Sequence, residues 1–225
     1  MNSILKQQDA NTGGFFATYE EAAAGKGRID FDTTSVATQA CIWTGHMDQA
    51  LRAGEYFLAL DALQPEIDRR YYFVMDSDGK LVTDPGNDSP TEYYQEKGTP
   101  LQLYYKTGLF AALMSYLNRV RPNKRYIEAA IRCVDFAANC SDDVLRTRFS
   151  HKLCWGAAEL YQETHEPRFR EIALRFADFL IDVQEPDGRW IYRELFDKPE
   201  DQPIVATFDM TAQQVCWIGK AREIY

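Results

Sequence analysis

The stretch Ala173–Trp190 reads ALRFADFLIDVQEPDGRW, an amphipathic helical run followed by a sharp stop. Ala173, Phe176, Phe179, Leu180 and Val183 recur at the spacing of one buried helix face. Pro186-Asp187-Gly188 then stops the helix, because proline has no amide hydrogen to give and glycine favours a turn. The helical part occurs twice more. Ala50-Leu51-Arg52-Ala53-Gly54-Glu55-Tyr56 and Ala130-Ile131-Arg132-Cys133-Val134-Asp135-Phe136 match Ala173–Phe179 in the pattern A-[LI]-R-x-x-[DE]-[YF]. Such copies mark one supersecondary unit used repeatedly.

Working outward, each copy belongs to a helix pair. The segments from Pro100 to about Val120 and from His151 to Glu163 are apolar almost all round, as buried helices are. The segments that follow them, Lys124 to Asn139 and Phe169 to Gln184, carry one apolar stripe each. A further pair runs from a cap at Asp32 or Thr33 to about Thr44, then from His46 to Leu63. Phe208-Asp209-x-Thr211 repeats the start Phe31-Asp32-x-Thr34 and predicts a last inner helix with Asp209 as its cap. The pattern predicts an all-α, (α/α)n toroid of about four helical hairpins, with inner and outer helices, as one domain over residues 1–225. One hairpin would be split across the termini, with Gln8 placed like Gln184. Within 65–98, Arg70–Met75 and Leu81–Thr83 flank the turn signal Asp76-Ser77-Asp78-Gly79-Lys80 and predict a small β-hairpin.

Hydrophobic residues make up 45 % of the chain, enough for a sizeable core, which argues against disorder. The net charge of −9 has no basic block to offset it, which argues against nucleic acid or an anionic membrane as partner. Five cysteines without a CxxC pair, and three histidines, argue against structural zinc. The odd cysteine count in apolar segments fits reduced thiols and a cytoplasmic location. The N-terminal residues lack the apolar run of a signal peptide, and no stretch is long enough for a membrane span. There is no phosphate-binding loop, no dinucleotide fingerprint and no Asp-rich magnesium motif, so neither a cofactor nor a metal is expected.

Leu180-x-x-x-Gln184-x-x-x-Gly188-x-Trp190 resembles the QW motif of triterpene cyclases, with weaker echoes at Gln8…Gly14-Phe15 and Leu60-x-x-x-Gln64. Asp30-Phe31-Asp32-Thr33-Thr34 resembles the D-x-D-D-T-A acid motif of class II terpene cyclases, with Thr33 in place of the third acidic residue. The resemblance implies the α/α-toroid superfamily of terpenoid cyclases and prenyltransferases, a glutamine that caps an outer helix and packs on the following tryptophan, and Asp32 as proton donor. Other α/α toroids act on sugars.

The candidate catalytic residues are therefore Asp32, Asp209 and His151, each at the start of an inner helix. Protonation of an alkene or epoxide needs a carboxylic acid tuned by burial. Two carboxylates at one mouth would suit sugar chemistry, and a histidine titrates near neutrality. Asp32 and Asp209 read equally as helix caps. Trp43, Tyr104, Tyr105, Trp155 and Trp217 lie on inner helices and would line a lumen for an apolar substrate, or serve as plain core. Tyr94 in the long loop, Arg148 beside His151, and Gln213 on the last helix complete the candidate binding residues. The expected function is a cofactor-independent cyclase or isomerase of an apolar terpenoid or polyketide intermediate. A carbohydrate-active lyase, hydrolase or epimerase, or a non-catalytic helical-repeat binding protein, are the alternatives. The sequence leaves the oligomeric state open.

Overall fold

The computed structural model describes residues 2–224, leaving Met1, Tyr225 and the side chain of Asn2 aside. The chain is mostly helical. Two short helices, α1 (Asn2–Leu5) and α2 (Tyr19–Ala24), precede a strand, β1 (Arg28–Asp30). The first hairpin is α3 (Phe31–Trp43) and α4 (Met47–Ala62). Then follow β2 (Arg70–Tyr72), β3 (Val74–Asp76), the single turn α5 (Pro90–Tyr93) and β4 (Tyr94–Glu96). The hairpins α6 (Tyr105–Val120) with α7 (Lys124–Ala138), and α8 (Leu153–Thr164) with α9 (Pro167–Asp182), lead to α10 (Ile204–Arg222).

Helix α6 packs on α7 and α8, α8 on α9 and α10, and α3 on α4 and α6. Nearly every residue from Lys106 to Ser115 in α6 and from Leu153 to Leu160 in α8 is buried. By contrast, α7 and α9 bury one stripe each, including Ala130, Cys133 and Val134, and Ala173, Phe176 and Leu180. The close approach of α6 and α8 depends on two glycines. A Cβ at Gly156 would overlap the Gly108 carbonyl, and one at Gly108 would overlap the Lys152 carbonyl. Phe31 anchors α3 in the same core: its ring meets Phe57 edge-on at 5.5 Å and Phe73 at 5.2 Å, and stacks on Phe110 at 6.1 Å.

The Ala173–Trp190 stretch folds as its pattern predicts. The Gln184 amide donates to the Gly188 carbonyl at 2.8 Å, and the buried Trp190 indole donates to the Leu180 carbonyl at 2.7 Å. Each satisfies a carbonyl that the helix end or turn leaves free. The echoes use glutamine in the same way. Gln8 donates to Gly13 and Gln49 carbonyls, and Gln64 donates to Tyr72 while accepting its amide. The N-terminal segment thereby lies against α4.

Four expectations need correction. Asp30, not Asp32 or Thr33, caps α3: its carboxylate accepts from the Thr33 amide at 2.8 Å and hydroxyl at 2.7 Å. Helix α6 begins at Tyr105 rather than Pro100, because Leu101 takes a positive φ of 55° and Gln102 turns inward to bond the backbone of Glu96 and Thr99. Helix α10 begins at Ile204, so Asp209 lies within the helix and caps nothing. The strands pair beyond the expected hairpin: β3 pairs antiparallel with β1, and β2 with β4, while Leu81 returns to Met75 by one bridge. Of the cysteines, Cys41, Cys133, Cys140 and Cys154 are buried, whereas Cys216 is exposed. Among the described residues no helix is long and apolar enough to cross a membrane.

Candidate active site at the starts of three helices

The starts of α3, α6 and α8 meet the first half of α10 at one mouth. Capping by Asp30 leaves Asp32 in the first turn of α3, where the helix dipole favours a carboxylate. Asp32 Oδ2 accepts from the Tyr105 hydroxyl at 3.1 Å and from Lys106 Nζ at 2.5 Å. Lys106 is only 2 % exposed. A buried ammonium needs counter-charge, and Glu92, carried on α5, adds a second carboxylate at 3.4 Å. The other Asp32 oxygen, Oδ1, is buried and accepts no hydrogen bond from the described residues.

Beside this pair stands His151-Lys152. The His151 ring is buried, with Nδ1 3.0 Å from the Arg148 carbonyl and Nε2 2.8 Å from Lys152 Nζ. A carbonyl only accepts, so Nδ1 carries the hydrogen and Nε2 accepts from the lysine. Burial first, and then the neighbouring Lys152 charge, push His151 down to about 3, so the ring is neutral at physiological pH. The reading of His151 as an acid or base near neutrality therefore gives way to a positioning role. Lys152 also donates to Gln213 at 3.2 Å and lies 4.6 Å from the centre of the Tyr105 ring. Burial pushes Lys152 down to about 8, against the upward pull of Asp32 and Asp209. Gln213 in turn donates to Asp209 at 2.8 Å. Tyr192 stands in the field of Asp209, its phenol pushed up to about 12 chiefly by burial. Burial and the Asp32 carboxylate push Tyr105 higher still, so it is a donor.

The mouth thus gathers Asp32, His151, Asp209, Tyr105 and Gln213 from the sequence-derived candidates. Trp217 borders it, 6.0 Å from Lys152 Nζ and stacked on Trp155 at 4.5 Å. The remaining candidates lie elsewhere. Trp155 is core, with its indole donating to Glu159 at 3.1 Å. Tyr104 is fully buried and its hydroxyl donates to Asp143. Arg148 is buried and bound to Glu194, which also accepts its backbone amide. Tyr94 packs under the Arg70 guanidinium at 4.5 Å. Trp43 is 71 % exposed, eleven residues and about 16 Å along α3 from Asp32.

Sequence reading missed Lys106, Lys152 and Glu92. Lys106 had a signal: it is the one charge amid the apolar run Leu103–Met114, and a charge on a helix buried all round must find a partner. Lys152 had only its place next to His151. Among the described residues no group of acidic, histidine or cysteine side chains is arranged to hold a metal ion. Comparison with protein-family models, with curated proteins and with solved structures finds no match.

Proposed function

We propose that the protein is an α/α-toroid isomerase or cyclase that works by proton transfer at this mouth on an apolar natural-product intermediate. The observation that carries the reading is the setting of Lys152, whose Nζ is held at 2.8 Å by His151 Nε2 and at 3.2 Å by Gln213 Oε1 and is pushed down to about 8 by burial. General acid–base catalysis is most effective with a group of that kind. Lys152 donates a proton to the substrate, or hydrogen-bonds its oxygen. The Asp32 carboxylate, acting as counter-ion to Lys106, accepts a proton or stabilises a cationic centre. This reverses the role that the acid-motif resemblance implies for Asp32, since a carboxylate that receives hydrogen bonds from an ammonium and a phenol is an acceptor.

The substrate's apolar body lies on the mouth's flanks in this reading. Val36, one turn beyond Asp32, and Val205, one turn before Asp209, are both exposed. The toroid is supported by the alternation of buried α6 and α8 with one-sided α7 and α9. A second reading, a carbohydrate-active enzyme, is favoured by one observation: exposed Trp43 lies on the same helix as Asp32, at a distance that suits an extended sugar chain.

Mass analysis of compounds extracted from the purified protein, followed by turnover assays on what is found, separates these readings. An unsaturated apolar compound, converted by the wild type but not by Lys152→Met, supports the first. Oligosaccharide binding that Trp43→Ala abolishes supports the second. Full turnover by Lys152→Met overturns the proton-transfer reading.

A further inference from the structure

The two lysines of the mouth are held in opposite ways. Lys106 is an ammonium between two carboxylates, Asp32 and Glu92. Lys152 takes part in none of the ion pairs among the described residues. Its hydrogen-bond partners are a neutral imidazole nitrogen and an amide oxygen, and its third neighbour is a phenol ring. Asp32 and Asp209 act on it only through space. Burial disfavours the ammonium, and with no carboxylate in contact to hold the charge the amine can shed a proton and free its lone pair. Such an amine is the setting in which a lysine attacks carbonyl carbon.

We propose that Lys152 is a nucleophile that captures a conjugated aldehyde or ketone as an iminium, its Nζ aimed by His151 Nε2 and Gln213 Oε1. The inference rests on the reading of this mouth as the reacting centre and names the substrate class. The Nζ lone pair adds to the carbonyl carbon, and the carbonyl oxygen takes up a proton. Both amine protons and that oxygen finally leave as one water, which breaks the C–O bond and makes the C=N bond. One further proton, from solvent, makes the nitrogen cationic. The new cation occupies the place where Asp32 and Asp209 already favour positive charge. An iminium withdraws electrons from the conjugated chain. This acidifies the adjacent C–H, whose proton the Asp32 carboxylate accepts, and it lowers the barrier to ring closure. Water addition reverses the sequence and frees the product.

The test uses the full chain, a limiting amount of cinnamaldehyde, and sodium cyanoborohydride to trap the iminium, with peptide mapping of the adduct. The expected result is modification of Lys152 at least about tenfold faster than of exposed Lys124 or Lys198, as an amine about one pKa unit or more below its neighbours requires. Gln213→Glu, which sets a carboxylate beside Nζ at a half-buried position, should slow that reaction about tenfold by holding the ammonium. Adducts confined to Lys124, Lys198 and other surface lysines, with Lys152 unmodified in the folded protein, would overturn the proposal. So would an unchanged rate in Gln213→Glu. Failure of the trap does not touch the proton-transfer reading, which falls only if Lys152→Met keeps full turnover of the identified substrate.

Discussion

At the residue scale, two charges explain the mouth. Lys106 is buried and is tolerated because Asp32 and Glu92 face it. Removing one partner strands the other, whereas removing both leaves little behind. In a double-mutant cycle followed by urea unfolding, Asp32→Asn alone should cost about 2 kcal/mol or more, and adding Lys106→Met should recover part of that loss. Additive costs would show that the pair is not coupled. His151 makes a separate prediction. Burial lowers its folded-state pKa from 6.5 to about 3. Between those values the unfolded chain binds a proton that the folded chain refuses, so stability rises with pH across the window and is lost as pH falls. The slope approaches about 1.4 kcal/mol per pH unit. Denaturation midpoints measured from pH 7 to pH 4 should therefore fall less steeply in His151→Gln than in the wild type.

At the element scale, the crossing of α6 and α8 sets the mouth, since Gly108 lies against the backbone of Lys152. Gly156→Ala places a methyl against the Gly108 carbonyl, which belongs to rigid helix backbone. The expected loss is about 2–3 kcal/mol or more by urea unfolding, while Gly219→Ala on α10, where the new methyl meets open space, is expected to be neutral or stabilising. Equal effects would contradict the close crossing. These hairpins were legible in the sequence because both faces of each helix carry information: the apolar run of α6, the single stripe of α7, and the stop at Pro186–Gly188. Their beginnings were less legible. Thr99-Pro100 has the composition of a helix start, but Leu101 leaves helical backbone geometry and Gln102 is drawn inward to the β4 edge. Ile204-Val205 looks like strand or loop by its β-branched residues, yet Pro203 precedes a continuous helix there. Asp32 could be recognised by its motif. Lys152 could not, because its chemistry depends on Gln213, 61 residues away.

At the scale of the whole molecule, the last helix is half-covered. Thr207, Met210, Gln214 and Ala221 face inward on α10, while Ile204, Val205, Phe208 and Val215 face out. Phe208 is 71 % exposed. Phe208→Ser should therefore change the unfolding free energy by no more than about 0.5 kcal/mol, against about 3 kcal/mol or more for a phenylalanine of the core. A core-sized loss would show that this face is covered in solution. Val205 on this outward face stands one turn before Asp209, so an apolar flank adjoins the mouth.

Burial at the shared mouth pushes the Lys152 amine down to about 8. Nitrogen NMR of the lysine side chains across pH 6 to 11 measures that value. Lys152 should titrate near pH 8, and lower still in Asp32→Asn or Asp209→Asn, because both carboxylates pull its pKa upward. A Lys152 signal titrating at about 10.4 like a free lysine, and indifferent to both substitutions, would contradict the account.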